Sequence, residues 1–207
     1  ASQHGVLIFF SMLIFFMGGI WCYPLLKDRD EAFLLLSVIN QLSCLAFIFG
    51  ADRSFIDQGS AQWMRVTAIL TAIFLGIFSV IGSTIWVSFL MWLGIEHDGQ
   101  AMVSLLTTGD QKIQLGTIAF VVLIAPFVEE ILFRNVLLST FMNNMEKNSA
   151  LFLTGVIFGL MHLESWTSVP PLIVFGIFLG VLRIKYQSII PSIIAHVVNN
   201  AIVVLSL

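Results

Sequence analysis

The sequence predicts an all-α, polytopic membrane helix bundle. Three observations carry this. Of 207 residues, 58% are hydrophobic and only 10% are charged. The mean hydropathy is +1.01, whereas a water-soluble domain is about 25% charged. The apolar residues also fall into long runs separated by short polar connections. Spanning the roughly 30 Å of hydrocarbon takes about 20 residues of helix.

By that measure about seven spans emerge, or eight if the short ones are split or re-entrant. They run from about Gly5 to Leu26, Ala32 to Gly50, Val66 to Gly94, Ile113 to Met142, Ser149 to Leu163, Pro171 to Ile184 and Ile189 to Leu207. The first has no basic residues ahead of it and reads as a spanning helix rather than a cleaved leader. The third is long enough to tilt or emerge at one end. The fifth and sixth are short for full spans. The connections are Lys27 to Glu31, Ala51 to Arg65, Glu96 to Lys112 with glycine breakers, Asn143 to Asn148, and Glu164 to Pro170. Trp63, Trp86, Trp92 and Trp166 lie near predicted ends, as interfacial anchors do. The whole, residues 1–207, reads as one membrane-embedded domain, with N-terminal helices over 1–112 and a core over 113–207.

The net charge of −3 comes with no basic run, which excludes a nucleic-acid partner. Cys22 and Cys44 sit in apolar segments, lack CxxC metal spacing, and read as packing residues. If the spans alternate, Arg53, Arg65, Lys147, Arg183 and Lys185 share one side and Lys27, Arg29 and Lys112 the other. That excess places the N-terminus and the richer side in the cytoplasm.

Five ionisable residues interrupt the apolar runs of the second half of the chain: Glu129, Glu130, Arg134, His162 and His196. Each charge at mid-bilayer costs roughly 2.5–3.5 kcal/mol on insertion scales, so such groups are paired or used. Glu130 and Arg134 are four apart and share a helix face, whereas Glu129 is rotated about 100° away. Arg134 therefore neutralises Glu130, and Glu129 is expected to face a different surface. Pro126, just upstream, removes a backbone donor and frees a carbonyl.

Phe158 and His162 are also four apart, as are His196 and Asn200; Asn199 is turned off that face and reads as a packing or helix-contact residue. A carboxylate base, two imidazoles and a carboxamide suit acyl hydrolysis. Glu129 with His162 can activate water, and His196 with Asn200 can donate to an oxyanion. No Gly-x-Ser-x-Gly and no His-Glu-x-x-His pattern occurs. A transporter or proton relay on the same groups would need more polar residues in the first three helices, which offer Asn40, Gln41 and a few hydroxyls.

Glu129-Glu130-x-x-x-Arg134, Phe158-x-x-x-His162 and His196-x-x-x-Asn200, in that order on separate apolar helices, resemble the three motifs of the CPBP family. These are the CAAX-prenyl-protease and bacteriocin-processing intramembrane proteases, also called Abi proteins. The resemblance covers about Ile113 to Leu207; Asn135 stands where the family often has Gly.

It implies a glutamate-type intramembrane endopeptidase. Glu129 would be the base, His162 its partner on the water, and His196 and Asn200 the oxyanion donors. Glu130, Arg134 and Phe158 would support them. The implied substrates are membrane-associated peptides or anchored proteins: prenylated C-termini, peptide precursors or sorting tails. No cofactor is favoured; if zinc binds, Glu129, His162 and His196 are the ligand set. The implied location is the bacterial plasma membrane, or the endoplasmic reticulum for a eukaryotic source. The alternative is a non-catalytic membrane partner of a signalling or toxin-immunity system. The sequence leaves the oligomeric state open.

Overall fold

The computed structural model describes residues 5–7, 9–14, 26, 29–51, 64–97 and 99–207. Every regular element among them is helical. A short apolar helix α1 (Gly5–Ile14) is followed by α2 (Asp30–Ala51), α3 (Val66–Trp92) and a short α4 (Ala101–Thr108). A continuous helix α5 (Gln111–Met142) comes next, then α6 (Lys147–Leu160), α7 (Val169–Tyr186) and α8 (Ile190–Leu205). Four stretches are long and apolar enough to cross a bilayer: Asp30–Ile48, Val66–Trp92, Gln111–Met142 and Leu163–Tyr186. The protein is an integral membrane helix bundle.

Most expected spans coincide with these helices, with three differences. The connection from Glu96 to Lys112 contains α4, and Asp110 then caps α5 by accepting from the Lys112 and Ile113 amides at 2.9 Å. The sixth span is not short: a 3₁₀ segment, Leu163–Ser168, runs into α7, whose first turn takes Pro170 and Pro171 where no donor is needed. The seventh is the shorter one, at 16 residues. The rest of the first span, Cys22, Arg53 and Trp63 lie outside the described residues.

Burial separates the helices by role. α3 carries no charge and turns Leu70, Phe74, Ile81 and Trp92 outward, Trp92 being 79% exposed. α5 is buried on nearly every side from Val128 to Leu138. α6 packs on α7 and α8 on α3. Two close approaches set this spacing. A side chain at Gly155 would meet Ile177 and the Ile173 carbonyl, and one at Gly76 would meet the Ala195 carbonyl, next to His196. The α7–α8 turn passes through Gln187 in the left-handed region (φ 51°). Ser192 then donates to the Leu179 carbonyl at 2.8 Å, clamping α8 to α7.

Candidate active site

α5 is not a uniform α-helix. Wide π turns at Phe120–Ile124 and Ile131–Leu137 flank the regular turn Ala125–Glu130 that carries both glutamates. The Ala125 amide bonds the Phe120 carbonyl, five residues back. In that register the donor due to Val121 is residue 126, a proline with no N–H. The Val121 carbonyl is satisfied from another helix instead: Asn200 Nδ2 donates to it at 2.9 Å. The carbonyl freed by Pro126 thus has a named partner. Such π insertions recur at functional sites because they leave backbone groups to be used.

Glu130 and Arg134 pair as their spacing predicts, with Arg134 Nε 3.0 Å from Glu130 Oε2 and both side chains fully buried. The contact is off the line of a directional hydrogen bond, and Nη1 and Nη2 have no hydrogen-bond partner among the described residues. The guanidinium lies over the rings of Phe158, at 5.0 Å, and Phe133, at 5.7 Å. The second Glu130 oxygen accepts from His196 Nδ1 at 3.0 Å. Glu130 therefore bridges α5 and α8 as well as pairing with Arg134.

The expectation that Glu129 faces a separate surface needs correcting. Its Oε2 is 3.9 Å from His196 Nε2, so the two glutamates address opposite nitrogens of one imidazole. The flat His196 ring, brought in by α8, is narrow enough to lie between the two adjacent carboxylates. Glu130 is fully enclosed, whereas Glu129 remains 7% exposed and lines a cavity. At 3.9 Å it is too far for a direct hydrogen bond to His196.

His162 sits at the end of α6. A carbonyl can only accept, so its Nδ1–H donates to the Phe158 carbonyl, at 3.0 Å, and Nε2 stays available. The Phe158 ring lies 5.3 Å from His162 and 5.8 Å from His196, and Phe175 lies edge-on to His196 at 5.5 Å. Asn200 is held at both ends of its amide: Oδ1 accepts from Asn199 Nδ2 at 3.0 Å, and Nδ2 donates to Val121. One N–H remains to it. Asn199 is thus more than a packing residue, since it fixes the orientation of its neighbour.

Glu129, His162, His196 and Asn200 all line one cavity of about 570 Å³. Glu164 joins them there, exposed and close enough to interact electrostatically with His162 and Glu129. Sequence reasoning left it in a connection; its distance of two residues from His162 was the available signal. The 3₁₀ segment carrying Glu164 is pinned through Thr167. Trp86 Nε1 donates to its carbonyl at 2.8 Å, and His97 Nδ1 lies 2.7 Å from its hydroxyl. Trp86 therefore works inside the bundle rather than as a lipid anchor. Asn135, the departure from the resembled pattern, accepts from Arg183 Nε at 3.3 Å and ties α5 to α7.

Glu129, His162 and His196 are not gathered into a metal-ligating set, and no group of three His, Cys, Asp or Glu is so gathered among the described residues. His196 also turns one nitrogen to Glu130.

The fold and the polar cluster define the class: a polytopic membrane protein with carboxylate, imidazole and carboxamide groups collected on one internal cavity. Residues 111–202, from the start of α5 into α8, match the family described as type II CAAX prenyl endopeptidase Rce1-like. The segment carrying all three motifs is thus similar to that protease family, in agreement with the resemblance read from the motifs. No curated protein and no solved structure gives a match.

Proposed function

We propose that this protein is a membrane-embedded endopeptidase in which Glu129 and His162 activate a water that attacks a peptide carbonyl. The observation that carries the reading is the shared cavity: four polar side chains, from α5, α8 and the turn after α6, line it, inside the segment matched by a protease family. Glu129 takes the proton from water. His162, its Nδ1–H spent on Phe158, accepts a hydrogen bond from the same water at Nε2, and the proton held by Glu129 passes to the departing amine as the C–N bond breaks. As the tetrahedral oxyanion forms, the remaining Asn200 N–H and His196 Nε2–H stabilise it. Donation from both His196 nitrogens requires the doubly protonated ring. In that state its charge offsets Glu129, as Arg134 offsets Glu130.

Glu130, Arg134 and Phe158 hold this arrangement. The pair Glu130–Arg134 fixes the carboxylate that grips His196, and Phe158 packs against both imidazoles. The reading needs no metal, since Asn200 is a good donor and a poor ligand for zinc. Substrates are membrane-associated peptides or anchored proteins, with a prenylated CAAX-type C-terminus first to be tried on the strength of the family description. The membrane is the plasma membrane of a bacterium, or the endoplasmic reticulum of a eukaryote.

The test is cleavage by purified protein of a panel holding prenylated C-terminal peptides, precursor peptides and sorting tails. Wild type and Glu129→Gln are compared, each with and without a chelator. Hydrolysis lost in the variant and indifferent to chelation supports the proposal. Hydrolysis lost on chelation and restored by zinc replaces the mechanism with a metal-dependent one. Equal biological activity of the two proteins, with no cleavage by either, favours a non-catalytic membrane partner.

A further inference from the structure

Gln41 lies well inside the apolar span of α2, 4% exposed, on the wall of the same cavity. Its Oε1 is fully buried and has no hydrogen-bond partner among the described residues. A carboxamide inside a spanning helix ordinarily bonds a neighbouring helix. Left unpaired it costs free energy, so the group calls for an occupant of the cavity.

Ser37, one helical turn before Gln41, shares its face of α2, and both Ser37 and Asn40 also line the cavity. Ser83 and Thr84 of α3 line it from elsewhere. α2 itself packs on the Ala125–Glu130 turn of α5, the turn that holds Glu129. The polar wall and the candidate base therefore lie on packed elements and border the same cavity.

The chemistry of the occupant follows from the reaction. A peptide can be cut only where its backbone is extended and its carbonyl accessible. An extended backbone in hydrocarbon loses its own N–H and C=O partners, each worth several kcal/mol. A protein that receives such a segment within the membrane must supply replacements. A primary carboxamide carries both a donor and an acceptor, so it can match one peptide unit at both ends. We propose that Gln41 is a substrate-backbone subsite: its carboxamide hydrogen-bonds a peptide unit of an extended substrate segment lying in the cavity that Gln41 and Glu129 both line. This rests on the endopeptidase reading and adds where the substrate's main chain is held.

The experiment measures binding apart from chemistry. In the Glu129→Gln background, labelled peptides of the panel are titrated with Gln41 intact and with Gln41→Leu, and each peptide is also made with single backbone amides replaced by esters. Gln41→Leu is expected to weaken binding about tenfold. One ester position should lose affinity for the protein with Gln41 intact yet lose nothing further for the Gln41→Leu variant, the non-additivity expected of a direct contact. Thermal stability in detergent should hold or rise, because the substitution removes an unpaired buried polar group. Affinity within twofold of the parent, no binding of any peptide, or a loss of binding that tracks a fall in thermal stability would each overturn the proposal. Cleavage by wild type separates the two readings. Glu129-dependent hydrolysis with no effect of Gln41 removes the subsite and keeps the peptidase. Gln41-dependent binding with no hydrolysis of any peptide keeps the subsite and removes the peptidase.

Discussion

Glu129 and Glu130 are neighbours in the chain, yet they occupy opposite conditions. Glu130 is enclosed, with one oxygen 3.0 Å from Arg134 and the other 3.0 Å from His196. Among the described residues, the ion-pair contact of Glu129 is the longer 3.9 Å approach to His196, and its carboxylate borders the cavity. One carboxylate is consumed by structure; the other is left at the cavity, where the proposed mechanism uses it as the base. Adjacent positions on a helix can be divided in this way because successive side chains diverge by about 100°.

The contrast can be broken from either side. The largest effect is expected for Glu129→Gln, which should lower cleavage about 10³-fold or more, within the range for loss of a general base, while leaving thermal stability in detergent nearly unchanged. A melting temperature that falls with activity would mean that Glu129 is structural too. Arg134→Met should do the reverse, destabilising the fold by about 3–5 kcal/mol by leaving Glu130 buried without its cation. The double change Glu130→Gln with Arg134→Met should recover part of that loss in thermal unfolding, since no lone charge remains.

Asn200→Ala sharpens the comparison, because this residue belongs to both sides. Loss of an oxyanion donor should reduce kcat about 10²- to 10³-fold, and the uncovered Val121 carbonyl should cost about 1–3 kcal/mol of stability. A kinetic defect without the stability loss would break the link drawn between Pro126 and Asn200. The smallest effect is expected for Trp86→Phe, which removes one hydrogen bond to Thr167 and should cost about 1 kcal/mol. Cleavage should then fall less than tenfold as the segment after His162 loosens.

The sequence revealed the helices and the ionisable residues for the same reason: a charge in an apolar run is conspicuous and expensive. Glu129, Glu130, Arg134, His162 and His196 stood out against their flanks, and spacings of four tied Phe158 to His162 and Asn200 to His196. What stayed hidden depended on tertiary placement. Helix periodicity treats α5 as regular and cannot foresee two π turns, nor that α8 would bring one imidazole between Glu129 and Glu130. Glu164 and α4 sat in stretches that polar composition marked as connections. Gln41 was one amide among several small polar groups in the first helices, and only its lack of a partner beside the cavity distinguishes it.

The bond from Asn200 to the Val121 carbonyl has a consequence for biosynthesis. α5 leaves the ribosome well before α8, and until the later helix docks, the earlier one carries an exposed backbone oxygen in oil. The same docking event repairs that defect and delivers the imidazole and carboxamide. A half-made chain therefore lacks two of the groups on which the proposed hydrolysis depends.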